Sequence, residues 1–167
     1  MAGATLRPHG GAGRYYSRML RWLLAAFHLL ALALGYGAIW ARARAMEGLP
    51  QPTYVRRTLL ADNWWGLASL LWLGTGLARL FLGTEKPTAY YWANTLFWVK
   101  VGCLVLILLL ELPQMVDLIR WRIVQQKGGV PDLSHGTQWV RLSRVQAWLV
   151  LLVMFVATGM ARGYGMR

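Results

Sequence analysis

Four apolar runs, each near the length of a membrane crossing and flanked by basic residues, constrain this chain more than any other feature. They cover about 19–41, 59–82, 91–112 and 145–161. Crossing about 30 Å of hydrocarbon takes about 20 helical residues. In lipid the backbone must satisfy its own polar groups, so only helices or closed barrels span. These runs lack the two-residue alternation of barrel strands. The predicted fold is therefore all-α, an integral membrane four-helix bundle. Hydrophobic residues make up 57% of the chain and mean hydropathy is +0.39, above the apolar share of about 45–50% in soluble domains.

Residues 1–18 are polar, Gly-rich and basic and read as a flexible tail. Residues 19–163 form a single membrane domain, and 164–167 a short C-terminal tail. The run from Leu20 to Trp40 is too long for the hydrophobic region of a signal peptide, about 7–15 residues, so it reads as an uncleaved first span. Pro50 and Pro52 break the first connection. Pro113 ends or kinks the third span, with helix able to resume through Arg120. Gly128, Gly129 and Pro131 stop any extension in the longest connection.

The formal charge is +12. Nucleic acid is the usual partner of such a basic chain, but here the basic residues flank apolar runs, where they meet lipid headgroups. The bilayer is the expected partner and nucleic acid is not. The cations divide almost evenly between the two faces. Arg42, Arg44, Arg56, Arg57, Arg120, Arg122, Lys127, Arg141 and Arg144 all lie in or beside connections between spans, which favours placing both termini outside. Trp64, Trp65, Tyr90, Tyr91, Trp92 and Trp139 sit at span ends, either as an interfacial aromatic belt or as packing between helices. Cys103, the one cysteine, reads as a buried inert thiol.

Ionisable groups inside spans are costly and face the bundle interior. His28 and Lys100 each lie about nine residues into a span, at the same depth, with no acid at that level. Asp62 and Glu111 lie toward the opposite face, with Arg144. That second layer can neutralise itself, with Asn63, Gln114 and Gln146 as hydrogen-bonding neighbours. It reads as a structural ion-pair network or as a pair of proton carriers. On the first span Arg21, His28, Gly35 and Arg42 recur every seven residues along one face. Gly35 and Gly37 would let a neighbouring helix come close.

Soluble-enzyme signatures such as GxSxG, a P-loop or HExxH are absent. The segments ADNWWGLASLLWLGTGLARLF (61–81) and EKPTAYYWANTLFWVKVGCLVLILLLELPQMVDLIRWR (85–122) resemble the bacterial predicted-membrane-protein family of unknown function 2214. The likeness extends through 27–43 and 145–163. More distantly, His28 and Lys100 match the first-span His and third-span Lys of HemJ-type protoporphyrinogen oxidases and CopD-like four-helix membrane proteins. That resemblance implies haem b or a porphyrin between the first and third spans. His28 would ligate the haem iron and Lys100 would pair with a propionate. Trp98 stands where that family has a second His, so a second axial ligand would be a Met, Lys100 or a residue of another subunit.

Three readings follow: a haem- or porphyrin-binding multi-pass protein of the bacterial cytoplasmic (inner) membrane, a non-catalytic assembly or interaction subunit, and a small proton-coupled transporter using Asp62 and Glu111 as carriers. The first extends to porphyrinogen oxidation. The last requires a homo-oligomer, and the second a membrane-complex partner.

Overall fold

The computed structural model describes residues 11–166, with side chains from Tyr15 onward. Four long helices carry the chain: α1 (Gly11–Met46), α2 (Pro52–Phe81), α4 (Thr95–Gln126) and α5 (Gly136–Ala161), with the short α3 (Thr88–Trp92) between α2 and α4. The expected tail residues 1–10, including His9, lie outside the described residues.

Every long helix exceeds its apolar run. Helix α1 begins at Gly11, inside the stretch read as flexible tail. Helix α2 begins at Pro52 instead of near Leu59. Proline suits a first helical turn, where its fixed φ is pre-set and its missing N–H would have no partner anyway. Asn94 starts α4 by accepting from the backbone N–H groups of Leu96 and Phe97, a side-chain N-cap. Helix α4 then runs unbroken through Pro113 to Gln126. The expected stop after Leu112 does not occur, because a helix can lose one internal hydrogen bond where packing holds both sides. Gln114 and Leu118, just beyond Pro113, are fully buried. Helix α5 starts at Gly136, well before Val145. Polar flanks hide such extensions from a hydropathy reading, since a helix continuing past the hydrocarbon needs no apolar residues.

Among the described residues, three helical stretches are long and apolar enough to cross a membrane: Tyr15–Met46, Thr95–Gln126 and Gly136–Ala161. Helix α2 is not among them. Trp64, Trp65, Trp72, Gly66, Gly74 and Gly76 dilute its hydropathy, although the Trp rings are large and mostly apolar. The chain is thus an all-helical membrane protein with three plainly apolar helices, while the four-span count expected above is not established by composition.

Helix α1 packs along α2 and α5, and α5 packs along α4. Ile39, Ile107, Ala147 and Val150 are buried where the helices meet. Gly35 permits the α1–α2 approach, since a Cβ there would stand 3.1 Å from the Trp65 ring, whereas Gly37 faces open space. Burial is inverted relative to a water-soluble domain. Arg42, Gln114 and Gln146 are 0% exposed, while Leu70 is 70% and Phe155 69% exposed. An apolar exterior around a polar interior is what lipid solvent requires.

The aromatic residues divide between the two roles. Trp65, Tyr91 and Trp139 are buried, and Trp64 and Trp92 are exposed. The segment after α5 is tied down. Asn94 donates from Nδ2 to the Tyr164 carbonyl, and the Thr95 N–H donates to the Gly165 carbonyl. Gly165 holds φ +82°, which favours glycine.

Candidate functional site

The polar centre of the molecule is built around Arg42, four residues before the end of α1. All four of its terminal N–H bonds are used. Nη1 donates to Asp62 Oδ1 at 2.8 Å and to Glu111 Oε1 at 2.6 Å. Nη2 donates to Glu111 Oε2 at 2.9 Å and to Gln146 Oε1 at 3.0 Å. The Gln146 amide donates in turn to Glu111 Oε2 at 2.7 Å and to the Ile107 carbonyl at 3.3 Å. Arg122 closes the far side, with Nη2 2.5 Å from Asp62 Oδ2. Residues of α1, α2, α4 and α5 therefore meet in one cluster.

Its charges balance: two guanidinium groups face two carboxylates, and each of the four carboxylate oxygens accepts from a cation. Bidentate Arg–carboxylate pairing is the strong form of this contact. One turn beyond Glu111, Gln114 donates to Ser143 Oγ at 3.0 Å, both fully buried, which adds a second α4–α5 bond.

The sequence placed Asp62, Glu111 and Gln146 in this layer, and the structure brings them together. It differs on Arg144 and Asn63. Arg144 is half-exposed and pairs with Glu47 on the rim. Asn63 is exposed and takes no part in the cluster. The counter-cations are instead Arg42 and Arg122. Both look like ordinary span-end arginines by sequence. The available signal for Arg42 was its place on the seven-residue stripe with His28 and Gly35, which turns it inward.

At the other end, His28 Nδ1 lies 2.9 Å from Thr75 Oγ1. The Thr75 hydroxyl also reaches the Leu71 carbonyl at 2.6 Å and the Trp72 carbonyl at 3.2 Å; while it donates to a carbonyl, it accepts from His28 Nδ1–H. The ring lies against α2, and a Cβ at Gly76 would stand 3.2 Å from its Cε1. Trp72 is its aromatic neighbour, at 6.3 Å between ring centroids. Lys100 folds back along α4, its Nζ 5.5 Å from the Phe97 ring centroid. Among the described residues, no hydrogen bond joins His28 to Lys100.

This geometry bears on the porphyrin site that the resemblance implies. With Nδ1 donating to Thr75, His28 would present Nε2 as an axial ligand does. Its ring, however, is seated in the α1–α2 seam instead of facing α4. The other described histidine, His135, lies at the opposite end, where it contacts Asp117 at 3.0 Å. These residues do not make up a two-ligand haem site.

Beside the cluster's rim lies an open cleft of about 460 Å³, bounded by Glu47, Pro50, Arg141 and Arg144. It is lined by none of the buried cluster residues. Nearby, Asp117 accepts from Trp139 Nε1 at 3.1 Å as well as bonding His135, which pins the start of α5 to α4.

The family model described as Predicted membrane protein (DUF2214) covers residues 20–165, and the chain belongs to that family. No curated protein and no solved structure matches the chain, and the wider likeness to HemJ-type and CopD-like proteins is not shown.

Proposed function

As a member of this family of predicted membrane proteins, the chain, we propose, is a non-catalytic assembly or interaction subunit of the bacterial cytoplasmic membrane, with α1, α2, α4 and α5 all crossing. The observation that carries this reading is the closed Arg42 cluster. A proton carrier must release and rebind a proton at a carboxylate that a pathway can reach. Asp62 and Glu111 instead hold a cation at every oxygen. Protonating either would leave buried guanidinium charge short of its partner, which is strongly unfavourable. A balanced network is suited to locking helices in register.

The cluster also supports α2 as a fourth span. Asp62 lies ten residues into α2, about 15 Å from the helix start. It reaches across to apolar α1 and α4. A helix joined to its neighbours at that depth crosses with them.

The test is extraction of the tagged full chain in a mild detergent, followed by crosslinking and mass analysis. The proposal expects a stoichiometric membrane partner or a defined homo-oligomer. A monomer without partner, together with proton-coupled solute flux in proteoliposomes that Asp62→Asn abolishes, would overturn it in favour of transport. An oxidised and reduced visible spectrum of the same preparation addresses pigment directly. The proposal expects no Soret band that depends on His28.

A further inference from the structure

Three basic side chains share one level at the end of the molecule opposite the Arg42 cluster. His28 precedes Arg42 by fourteen residues, about 21 Å along α1. Thr75, its partner, follows Asp62 by thirteen, about 20 Å along α2. Arg79 is one turn further on the same face of α2. Lys100 precedes Glu111 by eleven, about 16 Å along α4, and its ammonium reaches back over Phe97 toward the helix start. This level is where α2 stops and α4 begins.

The charges here are not balanced. Of the chain's six acidic residues, only Glu85 lies at this end, against Arg18, Arg21, Arg79, Lys86, Lys100 and Arg162. Glu85 is held 3.3 Å from Arg79 Nη2. Arg79 Nε is buried without a hydrogen-bond partner among the described residues, as are Arg42 Nε and Arg122 Nε, so the two ends differ in their anions and not in these atoms. Lys100 forms no ion pair among the described residues; its ammonium lies over the face of Phe97. A cation at membrane depth is costly without an anion, and no acidic side chain among the described residues pairs with Lys100. The surrounding surface is apolar, with Leu77, Phe81, Leu82 and Trp98 exposed. A ligand suited to this place carries a negative head and apolar tails.

We propose that Arg79 and Lys100 form a headgroup site for an anionic phospholipid, with its acyl chains lying along the exposed faces of α2 and α4. Snorkelling basic side chains reach the headgroup level of a bilayer, and anionic lipid favours each one that arrives there. A zwitterionic headgroup brings its own cation to the same place and gains less.

The test uses the purified full chain in neutral detergent. Phosphatidylglycerol, phosphatidylcholine or inorganic phosphate is added in turn, and lipid adducts are read by native mass spectrometry beside the thermal midpoint. The expected result is a saturable phosphatidylglycerol adduct that raises the midpoint, and none of comparable strength with phosphatidylcholine. Lys100→Gln should weaken it by about fivefold, and Arg79→Gln/Lys100→Gln by about 25-fold. Lys100→Arg should retain it, and so should Arg141→Gln, a change of an exposed cation at the opposite end. Equal binding of the two lipids would overturn the proposal. So would full retention in Lys100→Gln, a single change that removes no internal ion pair and so leaves the fold intact. An inorganic phosphate effect equal to that of phosphatidylglycerol would mark a free-anion site and overturn the lipid assignment.

Discussion

At one end of the helices two carboxylates and two guanidinium groups close on one another, drawing in Gln146 until every carboxylate oxygen is paired. At the other end His28, Arg79 and Lys100 share a level where, among the described residues, Glu85 is the one acidic side chain. Both ends put charge at membrane depth, where charge is expensive, yet they meet the cost differently. The first satisfies itself and so joins α1, α2, α4 and α5 into one unit. The second leaves cations facing apolar surface and so invites an anion from outside the chain. A layer of ionisable residues inside a membrane protein is therefore not functional by position. Whether its charges balance within the protein decides whether it works as a fastener or as a site.

The largest effect that separates the two ends is loss of Arg42. Arg42→Met leaves Glu111 half-buried without a cation and Asp62 with Arg122 alone. It should lower unfolding stability in detergent by about 3–5 kcal/mol, read from the thermal midpoint. Asp62→Asn keeps the shape but removes the anion that Arg42 and Arg122 share, with an expected loss of about 1.5–3 kcal/mol by the same measurement. Gly35→Val sharpens the comparison by testing the α1–α2 seam that both ends share. Its side chain would meet the Trp65 ring, where a Cβ alone stands at 3.1 Å, and overpacking of this kind costs about 1–3 kcal/mol. Loss beyond that range would mean that the seam, not the cluster, dominates.

Smaller changes should fall on the rim. Arg144→Gln breaks only the half-exposed pair with Glu47 and should cost about 0–1 kcal/mol. Asp132 gives the least. The Ser134 N–H donates to its carboxylate at 2.9 Å and holds its pKa below the ordinary value. A lowered carboxylate pKa stabilises above the ordinary value and loses that contribution as pH falls through the lowered one. Since Asp132 is fully exposed, Asp132→Ala should leave the acid limb of a stability–pH curve almost unchanged.

The long apolar runs, Asp62 and Glu111 were legible in the sequence, because acids are scarce here and one inside a span has few reasons to be there. Arg42 was harder to see. An arginine at the end of an apolar run is usually an anchor, and hydropathy cannot say which of Arg42, Arg44, Arg122 and Arg144 turns inward. That depends on helix phase: Arg42 shares a face with Gly35, which seats Trp65, while Arg44 is exposed. The helix ends at Gly11, Pro52, Gln126 and Gly136 were hidden for a different reason. Helix beyond the hydrocarbon is polar, and its stops are set by capping and turns instead of by apolar length. The partnership of His28 with Thr75 required knowing that α1 packs along α2, which no single span reveals.

The most direct test of the balanced-cluster account is a rescue. Unfolding midpoints would be measured for wild type, Arg42→Met, and Arg42→Met combined with Glu111→Gln. If the cluster is a self-neutralising fastener, most of the loss in the single variant comes from Glu111, left half-buried without a cation while Asp62 keeps Arg122. Neutralising Glu111 should then recover a large part of it. A combined variant no more stable than Arg42→Met alone would contradict the account and show that Glu111 contributes by some means other than pairing with Arg42.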